Sequence, residues 1–173
     1  MLPVSARASS LTGRVLAAIL MATSLSPICS HAAGAVQPAG QAPDADSEFM
    51  RQMGAEPGVK TLPSGLEYKI LQSGDPSGTP PAVGDQLVLN YDGKLPDGAT
   101  FDSTERQGGM ARLPLDGLIP GWMEGLKLMR PGDIWMLYIP SRLGYGAKGQ
   151  GPIPPNSPLV FKIELVAVHR SGG

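Results

Sequence analysis

Glycine and proline recur along this chain too closely for long helices to form. There are 23 Gly and 18 Pro among 173 residues, spread through the whole length. The backbone is thus repeatedly given positive-φ freedom or denied an amide donor. Such a sequence favours short strands joined by turns and disfavours an α-helical bundle. Its length suits one domain built around one core.

Leu66, Tyr68 and Ile70 alternate with Glu67 and Lys69, and Leu87, Leu89 and Tyr91 alternate with Val88, Asn90 and Asp92. Period-two alternation predicts strands with one buried face. Pro96-Asp97-Gly98 supplies a fixed φ and then a residue free to take positive φ, which predicts a hairpin turn into a third strand ending near Asp102. Trp122, Leu126 and Met129 recur at helical spacing after Gly121, and Pro131-Gly132 stops the pattern, so one short amphipathic helix is expected. Ile134 to Ile139 reads as a strand apolar on both faces, and Leu159, Phe161, Ile163 and Leu165 as one face of a last strand. A Gly/Pro-rich loop, Gly144 to Pro158, separates them. The expected class is α+β: a curved antiparallel sheet wrapped around one short helix.

The N-terminus has the layout of a cleaved export signal. Arg7 and Arg14 precede the apolar run Val15 to Met21, and small residues follow at Ser30 to Ala33. The run is too short to span a bilayer comfortably. Ser26-Pro27-Ile28 lacks the small residue expected just before a lipidated Cys29, so a soluble periplasmic product is expected over a lipoprotein. The expected organisation is a signal over 1–32, a tether over 33–56, one folded domain over 57–170 and a tail over 171–173. Within the tether, Ser47 to Met53 reads as a helical stub capped by Ser47 and stopped by Gly54.

Several chemistries are excluded by composition. A formal net charge of −1 and a pI near 6.1 give no basic field for nucleic acid. Loss of residues 1–32 removes the only Cys and His31, leaving His169 alone in a polar tail. No disulfide, thiolate nucleophile or His-based catalysis is then expected. No Asp/Glu spacing matches a metal loop, and no Gly-Lys-Ser/Thr follows the Gly-rich stretch after residue 144, so neither metal nor cofactor is expected. What remains is a scattering of aromatic side chains, Tyr91, Phe101, Trp122, Tyr145 and Phe161, each on a different element.

Six blocks, in order and in register, resemble the signature of the FKBP-type peptidyl-prolyl cis-trans isomerases. They are Val88 to Leu95, Phe101 to Thr104, Leu118 to Leu126, Leu143 to Gly146, Ile153 to Asn156 and Leu159 to Leu165. Leu62-Pro63-Ser64-Gly65-Leu66 ahead of them resembles the domain entry of exported bacterial members of the Mip-like branch. The resemblance implies a five- to six-stranded half-barrel around one helix, with a pocket between them. It places Trp122 at the pocket floor, Tyr91, Phe101, Ile119 and Phe161 as walls, and Leu118 and Ile153 at the rim. It further implies that the Ile119 N–H holds a substrate carbonyl, that the Tyr145 hydroxyl donates at the mouth, and that Asp102 accepts a hydrogen bond that orders the polar side. Implied partners are proline-containing polypeptides and the macrolide inhibitors of the family. Ala111 and Leu113 depart from the bulkier residues of many members, which implies a wider pocket on that side. The long N-terminal helical segment through which Mip-like relatives dimerise is missing, so a monomer is expected. The rival readings are a holdase-type chaperone or peptide-binding module, with Ile134, Met136 and Tyr138 as an apolar patch, and an inert scaffold.

Overall fold

A computed structural model of the chain describes residues 44–170. The expected export signal, residues 33–43 of the expected tether and the tail at 171–173 lie outside the described residues.

The elements run α1 (Ala45–Gly54), β1 (Val59–Thr61), β2 (Glu67–Gln72), β3 (Gln86–Lys94), β4 (Thr100–Ser103), β5 (Ala111–Pro114), α2 (Pro120–Leu126), β6 (Ile134–Ile139) and β7 (Leu159–His169). All strand pairs are antiparallel. The sheet order is β1-β2-β6-β7-β3-β4, with β5 also on β3. β4 pairs with the Asp92–Lys94 end of β3 and β5 with its Gln86–Leu89 end, so the two short strands share one edge of β3. The hairpin turn at Pro96 to Gly98 is closed by Leu95 N–H to Ala99 O and Gly98 N–H to Leu95 O, both 2.9 Å.

The α+β antiparallel architecture is as read from the sequence, but the sheet has seven strands where five or six were expected. The additions, β1 and β5, have three and four residues. Neither is long enough to display an alternation. The helix α2 also stops sooner than its apolar spacing suggests. Met129 lies beyond its end, in a turn where its N–H reaches Leu126 O at 3.1 Å, yet it is fully buried with Leu126. Burial, rather than helix, carries the periodicity across that boundary.

The core lies between α2 and one face of the sheet. Leu87 and Leu89 of β3, Leu137 and Ile139 of β6, and Leu159, Ile163 and Leu165 of β7 are completely buried there. Cross-strand register puts them side by side: Leu89 opposes Leu165, Leu137 opposes Phe161, and Ile139 opposes Leu159. The helix sits close because two of its inward positions lack side chains. A Cβ at 121 would lie 2.6 Å from Ile139 Cγ2, and one at 125 would lie 2.8 Å from Leu137 Cδ1.

α1 packs on β1, β2 and β6. Its N-cap is Asp44, whose carboxylate accepts from Ser47 N–H at 2.7 Å; Ser47 is thus the capped residue rather than the cap. Met50 is its buried apolar anchor. Glu67, on the solvent phase of the β2 alternation, is buried too, and its Oε2 has no partner among the described residues. Its Oε1 lies 2.7 Å from where a Cβ of Gly54 would sit, so the last residue of α1 covers it. Ile134, Met136 and Tyr138, the outward residues of β6, are only half-buried.

Gly121→Ala is expected to lower stability by about 1–3 kcal/mol through overpacking against Ile139, even though Ala is worth up to about 1 kcal/mol over Gly in a helix interior. Urea unfolding of the variant and the parent measures it; equal midpoints would show that α2 has room to spare.

Candidate active site

Phe161, near the start of β7, is the ring around which the site is arranged. It meets Trp122 of α2 edge to face, with centroids 5.0 Å apart and planes at 81°. Phe101 of β4 stands on it at 5.4 Å and 88°, and Tyr91 of β3 at 6.3 Å and 62°. Tyr91 in turn meets Trp122 at 5.1 Å and 81°. Such T-shaped contacts satisfy the ring quadrupoles and hold each ring's orientation. Trp122 and Phe161 are buried, while Tyr91 and Phe101 are partly so. Two buried rings thus lie beneath two partly exposed ones. The buried Trp122 Nε1–H has no acceptor among the described residues, so it is an unpaired donor at the base of the cluster.

The four rings meet because Gly93 stands opposite Phe161 in the β3/β7 ladder. A Cβ at that position would lie 2.7 Å from Phe161 Cε1 and 2.8 Å from Phe101 Cζ. The first separation is shorter than any ordinary carbon contact. Sequence reading passed over Gly93, although a glycine inside a strand is a known sign of a close approach.

The polar side is a closed set of three residues. The Tyr91 hydroxyl donates to Asp102 Oδ2 at 2.7 Å. Gln107 Nε2 donates both to Asp102 Oδ1 at 2.7 Å and to Tyr91 Oη at 2.9 Å. Tyr91 is also fixed through its backbone, which exchanges bonds with Thr104: Tyr91 N–H reaches Thr104 Oγ1 at 3.1 Å, and Thr104 N–H reaches Tyr91 O at 3.0 Å. Burial, then the hydrogen bond and charge of Asp102, push the Tyr91 hydroxyl up to about 12, against a smaller opposing pull from Gln107. Asp102 forms no ion pair among the described residues, so neutral donors alone hold its carboxylate. Gln107 was missed by sequence reading. Nothing in its spacing marks it, because it is brought back over the strand by the turn after β4, closed by Gln107 N–H to Ser103 O at 3.3 Å and Thr104 O at 3.2 Å.

Tyr145 makes no ring contact with the other four among the described residues and is 36% exposed. Burial first, and then the Asp102 charge, raise its hydroxyl above the usual range, which sets it within electrostatic reach of that carboxylate. Ile119 is the N-cap of α2, in extended conformation, and packs on the core with Leu118. Its N–H donates to no described residue, whereas its carbonyl accepts from Trp122 and Met123. Ile153 is buried and pairs reciprocally with Gln150, at 2.8 and 3.0 Å, which folds the tip of the long loop. Ala111 and Leu113 are half-buried against the core, opposite Leu89 and Leu87.

A separate groove of about 700 Å³ involves the other phase of β3, with Asn90, Asp92, Lys162 and Glu164 among its lining. It is of mixed charge, and its central contact is Asn90 Nδ2 to Glu164 Oε2 at 3.0 Å. No group of His, Cys, Asp or Glu able to hold a metal occurs among the described residues.

Residues 77–166 match the family model described as FKBP-type peptidyl-prolyl cis-trans isomerase. The chain belongs to that family. The matched span takes in β3 to most of β7 and every residue of the ring cluster, and begins after α1, β1 and β2. Peptidyl-prolyl cis-trans isomerase Mip of Coxiella burnetii is 46% identical over 116 residues, covering 66% of this chain and 50% of that protein. Outer membrane protein MIP of Legionella longbeachae is 42% identical over 124 residues, covering 71% and 52%. Among solved structures, FkpA from Escherichia coli superposes with a TM-score of 0.70 at 42% identity, over 73% of this chain and 59% of that one. A peptidyl-prolyl cis-trans isomerase from Pseudomonas syringae pv. tomato gives 0.68 at 40% identity, over 73% and 92%. The chain spans about half the length of the curated relatives it matches.

For this FKBP-type domain, raised tyrosine hydroxyls have a stability consequence. A proton held in the fold up to about pH 12 but released near pH 10.0 when unfolded favours the folded state. That contribution is whole below pH 10.0 and fades as pH rises towards about 12. Asp102→Asn is expected to lower the Tyr91 pKa and to flatten the alkaline loss of stability. NMR titration of Tyr91 with unfolding at stepped pH measures both, and an unmoved Tyr91 would dissociate the two groups.

Proposed function

We propose that the chain is a peptidyl-prolyl cis-trans isomerase that speeds rotation about X-Pro bonds in exported polypeptides, acting as a monomer in the periplasm. The observation that carries the activity is the edge-to-face cluster of Tyr91, Phe101, Trp122 and Phe161, an apolar enclosure of a kind that accepts a pyrrolidine ring.

The chemistry needs no nucleophile or proton transfer. The barrier of about 18–20 kcal/mol is mostly lost amide resonance. The planar amide is more dipolar than the twisted one, so a dry surround of aromatic rings disfavours the ground state relative to the transition state. Each 1.36 kcal/mol or so of that difference gives about tenfold in rate. In this reading the prolyl ring rests on Trp122 between Tyr91, Phe101 and Phe161, with Leu118 and Ile153 at the rim. The unbonded Ile119 N–H holds a substrate carbonyl, and the Tyr145 hydroxyl donates to the peptide at the mouth. Asp102 and Gln107 keep the Tyr91 ring from turning. Both tyrosine hydroxyls have pKa values raised above 10.0 and so remain donors at neutral pH.

The signal-like segment at 1–32 and the name of the Legionella longbeachae relative, an outer membrane protein, support export. Macrolides that fill such pockets are expected to compete with the peptide.

Trp122→Leu is expected to lower kcat/KM for a proline tetrapeptide by about tenfold or more, as read by protease-coupled assay or NMR exchange. Suppression of aggregation of an unfolded client would survive that change if the chain acted only as a holdase. A parent protein with no isomerisation above background, but with client holding intact, would replace this reading by that one.

A further inference from the structure

Tyr145 is placed by a 3-10 turn, Ser141–Leu143, two residues before it. The first N–H groups of such a turn have no partner within it. Pro140 occupies the cap position and offers no side-chain acceptor. Ser141 is buried, so its N–H and hydroxyl would be left without water or partner. Both are met from far away in the sequence. Asp46, in the first turn of α1, accepts from Ser141 N–H at 3.0 and 3.2 Å and from Ser141 Oγ at 2.7 Å.

The remaining ties on this stretch are independent of α1. The Arg142 guanidinium donates to the Ser64 carbonyl. A Cβ at Gly144 would lie 3.0 Å from Leu159 Cδ1, so the backbone there rests on the core. Beyond Tyr145, Asn156 N–H donates to Gly146 O at 2.8 Å. Asp46 therefore holds the upstream end of the turn, the point from which the approach of Tyr145 towards Asp102 is set. It also lies outside residues 77–166, the segment that matches the family.

We propose that Asp46 is a positioning residue: by capping the Ser141 turn from α1, it makes the placement of Tyr145 at the pocket mouth conditional on α1 being docked. The inference rests on the isomerase reading above for its effect on rate, but the coupling itself is a property of the fold. α1 then acts as a brace on the site, and whatever displaces α1 from the sheet also loosens the mouth.

The test uses the full chain with Asp46→Ala, Asp46→Asn and Tyr145→Phe. Asp46→Ala is expected to lower kcat/KM about threefold to tenfold, mostly through KM, the range that follows from losing the positioning of one hydrogen bond. Asp46→Asn, which keeps an acceptor oxygen for Ser141 N–H, is expected to restore most of it. In the double variant Asp46→Ala with Tyr145→Phe, the loss should equal that of Tyr145→Phe alone. Multiplicative losses, or full activity in Asp46→Ala, would overturn the brace. NMR titration of Tyr145 is the second readout, because general destabilisation would not move it in the folded protein. Its pKa should fall towards the ordinary value in Asp46→Ala, and an unchanged value would overturn the coupling. If Tyr145→Phe leaves kcat/KM untouched, the role of Tyr145 in isomerisation fails, while the titration still decides the coupling. Should Asp46→Ala not fold, Ser141→Ala removes one of the bonds and carries the same two readouts.

Discussion

The ring of Phe161 is the fixed point of this molecule. It stands on β7, the longest strand and the one that pairs with both β6 and β3. Three other rings, from a helix and two further strands, set their edges or faces against it. For Trp122 to reach it, α2 must approach the sheet to backbone distance, which the glycines at 121 and 125 allow. For Phe101 to reach it, β3 must pass between them without a side chain, which Gly93 allows. An interior packed to the density of a crystal does not tolerate one added methyl at such a point. The enclosure is thus a product of what three positions lack as much as of what the aromatic positions carry.

Around that apolar centre the polar groups work by orientation. Tyr91 belongs to both sets: its ring is part of the enclosure and its hydroxyl is part of the bond set with Asp102 and Gln107. A Tyr tethered at both backbone and hydroxyl keeps little rotamer freedom. His169, read from the sequence as part of a polar tail, instead ends β7, where it is exposed.

The long elements were legible because alternation over six or more residues is hard to mistake. β3, β6, β7 and the ends of the Pro96 to Gly98 hairpin follow their sequence pattern, and the ring residues could be named from the six blocks. β1 and β5 were not legible, since three or four residues carry no period and their strand character comes wholly from the partner's edge. The two apolar phases of Ile134 to Ile139 were visible, but not that β6 is packed on both sides, by α2 and by α1. Gln107 was hidden for a different reason. It reaches the site by a turn, and turn geometry depends on backbone angles that a list of side chains does not encode. Asp46 was hidden most deeply, because its partner is 95 residues away.

Glu67 puts an unbalanced group into this arrangement. Its carboxyl is roofed by the end of α1, shares its neighbourhood with Tyr138 and Glu56, and has only a long 3.5 Å contact with the Thr61 hydroxyl. Burial lifts its pKa, with Thr61 pulling slightly the other way. A carboxyl that binds its proton more tightly when covered favours the covered state in acid and loses that preference as the solution turns neutral. Protonation of Glu67 thus favours the covered end of α1, opposite in sign to the lowered carboxyl of Asp44 that caps its start, so the two ends of one helix answer acid in opposite directions.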